Sequence, residues 1–119
     1  MTRIPLLLMA LTLAAPVAAQ SWKKVPGAAS AALEIDTSSI RQEGKWRVFR
    51  TRATSLGTEG EIIGIAAMDC KAGVTELRTQ RLFARSKLIR ERVYPVDKRP
   101  RQKIVNAAKD PAFRIVCGR

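Results

Sequence analysis

Two cysteines constrain this chain more than any other feature. Cys70 ends the longest apolar run outside the first twenty residues, a run that starts at Ile62, and Cys117 stands near the C-terminus. In an extended strand Ile62, Gly64, Ala66, Met68 and Cys70 share one side, and Ile63, Ile65, Ala67 and Asp69 share the other. Both sides are largely apolar, so the run reads as the central strand of a sheet. Gly64 and the alanines leave room for close packing there. A bond between the two thiols would pin everything between them to the middle of that sheet.

The compartment decides whether such a bond forms. Arg3 begins a short positive segment, an apolar run follows from Leu6 to Ala15, and Pro16, Val17, Ala18 and Ala19 offer small residues for cleavage before Gln20. That order is the signature of a secretory signal peptide over residues 1–19. The run falls short of the about twenty apolar residues that cross a membrane, so no transmembrane segment is expected. No cysteine stands beside the cleavage point to carry a lipid. Residues 20–119 are therefore expected to form one exported domain, periplasmic or secreted and not lipid-anchored. In an oxidising compartment the pair Cys70 and Cys117 reads as a disulfide worth about 4 kcal/mol. A reactive or metal-binding cysteine is the weaker reading, because there is no Cys-x-x-Cys spacing and no histidine.

At 119 residues the chain has room for one hydrophobic core. Its 22 Lys and Arg against 10 Asp and Glu give a net charge of +12, which favours acidic partners. The absence of histidine removes most acid/base, metal and triad chemistry, and no metal or cofactor is expected.

The first strand signal after the leader is residues 32–36, where apolar and acidic positions alternate. Thr37, Ser38, Ser39 and Ile40 read as a tight turn, with Asp36 and the hydroxyls bonding nearby amides, and Ile40 turns back to the core. Residues 45–53 are rich in β-formers. Trp46 and Val48 lie on one side and Phe49, Thr51 and Ala53 on the other, which leaves the buried face open; Arg50 and Arg52 share a face either way. A hairpin loop at residues 57–60 leads into the central strand. Residues 74–83 alternate cleanly, and residues 87–94 close the sheet. Pro95 and Pro100 are expected to exclude regular structure as far as the tail. There Ile104, Val105 and Ala108 recur at helical spacing, and Asp110-Pro111 offers a cap and a first helical position. The competing reading is a last strand through Phe113, Ile115 and Cys117. The helix is preferred, irregular near Pro111 and stopped by Gly118.

Trp22, the Asp36-Thr37-Ser38-Ser39-Ile40 stretch followed by Gly44, then Met68-Asp69-Cys70-Lys71, and finally Ile115-Val116-Cys117-Gly118 resemble the surface-adhesin E family of small exported bacterial domains. The likeness lies in order and spacing across nearly the whole exported part. It implies an α+β fold, a curved antiparallel β-sheet of about five to six strands with a C-terminal helix tethered to it by a disulfide. It also implies adhesion to host matrix proteins and plasminogen, and homodimers. The chain departs from the family in lacking a lipid-attachment cysteine and in being unusually basic.

No enzymatic constellation is legible. Asp36 and Asp69 read as a turn residue and a strand-end residue bonded to local amides or to Lys71, not as a carboxylate pair. Ser38 and Ser39 have neither a histidine base nor a nucleophile elbow. The expectation is a non-catalytic binding domain. Its candidate surface is the basic run Arg81, Arg85, Lys87, Arg90, Arg92, Lys98, Arg99, Arg101 and Lys103, which carries a net +7 against Glu91 and Asp97. Alternation puts Arg90 and Arg92 on one face, with Arg81 across from them and Lys98, Arg99 and Arg101 extending the patch toward the helix. The partners expected are an acidic glycan, lipopolysaccharide or an acidic protein. Nucleic acid ranks below these, since export removes the chain from it and few aromatics are interleaved for stacking. The alternative is an accessory envelope protein that docks on another protein by its sheet edge or basic face.

Overall fold

The computed structural model describes residues 19–27, 31–55 and 60–118. The expected leader, Ala19 apart, and residues 57–59 of the expected hairpin loop lie outside them. Among the described residues the fold is an open antiparallel sheet with one C-terminal helix. Its strands are β1 (Trp22–Lys24), β2 (Ala31–Glu43), β3 (Trp46–Ser55), β4 (Gly60–Asp69), β5 (Val74–Ala84), β6 (Lys87–Val93) and β7 (Arg101–Lys103), and α1 spans Pro111–Cys117. The order β1-β2-β3-β4-β5-β6 follows the chain, and β7 also pairs with β5. The strand count is thus seven rather than five to six.

The additional strand lies beyond Pro100, where the prolines argue against regular structure. Proline lacks only its own N–H, and Pro100 uses its carbonyl, which accepts from the Leu77 amide. The outer edge of β5 is in fact shared end to end. Residues 79–84 pair with β6, the Tyr94 amide donates to the Arg78 carbonyl, and residues 74–76 pair with β7. Residues between Tyr94 and Pro100 loop away through a 3-10 turn at Val96–Lys98 and return to the same edge.

The turn expected at residues 37–40 is also corrected. β2 runs through it, and the register with β3 shifts between Asp36 and Arg41. The local chemistry is as expected, but it builds a bulge inside a strand. Asp36 Oδ1 accepts from the amides of Ser21 and Ser38 and from the Ser38 hydroxyl, while Ser39 Oγ donates to the Asp36 carbonyl and accepts from the Arg50 amide.

One sheet face carries the hydrophobic core. Ile35, Phe49 and Met68 pack there against Phe113 and Val116 of α1. A seven-residue helix is unstable alone. Here Asp110 Oδ1 accepts from the Phe113 amide at its start, Gly118 stops it at φ +78°, and Arg47 Nη1 donates to the Val116 carbonyl at 2.7 Å. The Cys70–Cys117 disulfide, with Cα atoms 5.8 Å apart, ties its last residue to the end of β4. Of the residues at helical spacing, Val105 is exposed and Ile104 lies outside any helix, so the helix is confined to the far side of Asp110. Gly64 lies where strands crowd: a Cβ there would stand 2.9 Å from Thr51 Oγ1 and 3.0 Å from the Thr79 carbonyl oxygen.

Candidate anion-binding surface

The basic run does not stay together when it folds. Pairing sets Arg81 opposite Glu91, Leu82 opposite Arg90 and Gln80 opposite Arg92. Directly paired residues share a face, so Arg81 points away from Arg90 and Arg92 rather than joining them. Its Nε lies 2.6 Å from Glu91 Oε2. Arg99 and Arg101 do not extend the patch toward the helix either. Arg101 pairs in register with Glu76, which shares a face with Ala67 and Val48, the face opposite α1.

Glu76 is the hub of that second face. It is 1% exposed, and its carboxylate accepts from Arg78 Nε at 2.9 Å, from Arg101 Nε at 3.0 Å and from Arg99 Nη1 at 3.5 Å. Arg78 Nη1 continues to Glu43 Oε1 at 2.7 Å, and the Arg101 guanidinium sits 5.2 Å from the Trp46 ring centre. Burial opposes ionisation of Glu76, but the hydrogen bonds and charges of Arg78 and Arg101 outweigh it and hold the carboxyl below its usual range. Glu43 is lowered by the hydrogen bond and charge of Arg78. Sequence reasoning missed this cluster. The Glu76-x-Arg78 spacing within an alternating strand was a usable signal, because it puts both side chains on one face; the contribution of Arg101 required a pairing across 25 residues.

The remaining cations divide further. Lys103 Nζ donates to the Ala72 carbonyl at 3.1 Å, and Arg92 Nη1 reaches Tyr94 Oη at 3.5 Å. Arg85 occupies the β5–β6 turn with Ser86, both at positive φ. Lys87, Arg90 and Lys98 are exposed, and no ion pair with another described residue engages them. Arg90 and Arg92 flank a shallow depression of about 200 Å³ on the helix-bearing face, with Ile62, Gln80 and Leu82 completing it. Among the described residues no carboxylate lines it. A larger depression of about 660 Å³ beside the disulfide contains Lys45, Arg47, Lys71 and Asp69. There Arg47 is bonded to Gln42 and to the end of α1, and Asp69 supplies a competing negative charge.

Set beside models of protein families, curated proteins and solved structures, the chain matches none. The geometry therefore carries the functional argument. Asp36 and Asp69 each accept from backbone amides, of Ser21 and Ser38 in one case and of Lys71 and Ala72 in the other. Burial works against the ionised form of Asp36, yet the Ser38 hydroxyl, the Ser21 and Ser38 amides and the charge of Arg50 keep its carboxyl low. Asp69 is lowered chiefly by the Ala72 amide, against burial, with help from the Lys71 amide and Lys45. Among the described residues no group of His, Cys, Asp or Glu is placed to hold a metal, and no helix is long and apolar enough to cross a membrane.

Proposed function

We propose that this chain is a non-catalytic exported bacterial binding domain, adhesin-E-like, which takes a multiply charged acidic partner on the β5–β6 end of its sheet. The observation that carries this reading is the depression between Arg90 and Arg92, where two guanidinium groups flank Ile62, Gln80 and Leu82 and no carboxylate of the described residues opposes them. Three other cations of the run are spent differently: Arg81 on Glu91, and Arg99 and Arg101 on Glu76. The disulfide supports an oxidising compartment, and a sheet with a disulfide-tethered helix is the arrangement the family resemblance implies. Acidic glycan, lipopolysaccharide and acidic protein share the chemistry required, closely spaced anions, and a host matrix protein is the partner suggested by resemblance.

The test uses the oxidised exported chain with heparin, lipopolysaccharide and an acidic polypeptide. At least one should bind, with affinity falling steeply as salt rises. Replacing Arg90→Gln and Arg92→Gln together should weaken that binding by about tenfold or more without lowering the melting temperature. Absence of binding to all three by the folded protein, or an undiminished affinity of the double variant, rejects the reading.

A further inference from the structure

β6 ends the sheet, and none of the described residues pairs with its outer edge. All seven of its residues are exposed, including Leu88 at 48%, Ile89 at 56% and Val93 at 63%. Because the Tyr94 amide points inward to Arg78, alternation along an antiparallel ladder turns the N–H and C=O groups of Glu91 and Val93 outward. Such an edge is a template for a further strand.

The side chains specify what that strand carries. On the helix-bearing face an incoming strand meets Arg90 and Arg92, the pair that flanks the depression. On the other face it meets Val93 and Glu91, and Glu91 is already neutralised by Arg81. The register shift at Leu82/Phe83 leaves Ile89 as the extra residue, so regular pairing is available along residues 90–93. A second copy of the chain is a poor occupant. The symmetric antiparallel register that uses all seven residues sets Arg90 against its own copy and Leu88 against Arg92.

We propose that the outer edge of β6 accepts an extended acidic segment of a partner protein as an added strand. Its carboxylates at alternate positions lie against Arg90 and Arg92, and its apolar side chains lie on the Val93 side. This rests on the anion-binding reading above and narrows its partner to a protein strand whose backbone is also recognised.

The probe is a synthetic peptide alternating Glu with Val, used with the full oxidised chain. Its binding should slow hydrogen exchange at the Glu91 and Val93 amides. N-methylation of the peptide amides that face β6 keeps its charge and removes its donors, and should weaken binding at least tenfold. Val93→Pro, which deletes an outward donor and spares the ladder to β5, should do the same. If the methylated peptide binds the parent chain as well as the unmethylated one, strand addition is wrong while anion binding stands. Strand addition is equally wrong if heparin binds and the peptide does not. Glu91 and Val93 amides already protected in a dimer without peptide would overturn the proposal in favour of a second copy. Failure of every anionic probe rejects the underlying reading itself.

Discussion

The two ends of this sheet are built from the same alternating pattern and come to opposite fates. At the β2–β4 end, Ile35, Phe49 and Met68 lie beneath α1, whose last residue is covalently fixed to the sheet. At the β6 end, Leu88, Ile89 and Val93 remain in solvent among arginines. What separates them is where the chain returns. The tail comes back to β4 because Cys117 and the apolar face of α1 hold it there, while among the described residues β6 has a partner along only one edge. In the proposed reading stability and recognition fall to different strands, and each can be attacked separately.

The largest effect should come from the staple. Cys117→Ser should cost about 4 kcal/mol in denaturant unfolding, because the unfolded chain regains the freedom that the closed loop removes. A loss below about 1 kcal/mol would mean that burial of Phe113 and Val116 alone holds α1, since a disulfide is typically worth about 2–4. Next comes the polar hub. Glu76→Gln removes the buried carboxylate that Arg78, Arg99 and Arg101 share and should cost about 3 kcal/mol by calorimetry. An unchanged melting temperature would mean that the Glu76 cluster adds nothing to stability.

Acid should act on this cluster and on two carboxylates outside it. Asp36, Glu43, Asp69 and Glu76 all have carboxyls held below their ordinary values in the fold. Their stabilisation is therefore present above the unfolded carboxyl range, about 4, and is lost as pH falls through the lower folded values. A melting temperature level near neutrality should fall below that range, and Glu76→Gln should flatten the decline. Gly64→Ala should cost about 1–3 kcal/mol, since the added methyl meets Thr51 and the Thr79 carbonyl on neighbouring strands. The smallest effect belongs to the free end, where Arg90→Gln with Arg92→Gln should move stability by less than about 0.5 kcal/mol. A larger loss would make those arginines part of the scaffold.

Much of the scaffold is legible in the sequence because its signals are local. The apolar run of β4, the Asp110 cap, the Gly118 stop and the two cysteines each declare their role within a few residues. The surface is less legible because faces depend on register. Arg81 and Arg90 look like neighbours in the sequence, yet pairing Arg81 with Glu91 puts them on opposite sides. Bulges at Asp36/Arg41, Ile65/Ala66 and Leu82/Phe83 each interrupt the alternation that a sequence reading must assume. Arg99 and Arg101 read as surface charge because nothing near them in the chain announces Glu76.

The disulfide also has a mechanical meaning. It makes residues 70–117 a covalent ring in which β6 is one arc. A pull on β6 therefore reaches β4 by two routes, one through β5 and the other through β7, α1 and the sulfur bridge. Tension is divided between them before it meets the ladder joining β4 to β3. Reduction would remove one route and leave β5 alone to carry the load, so a domain that grips by β6 under flow would hold more firmly oxidised than reduced even where its resting affinity is the same.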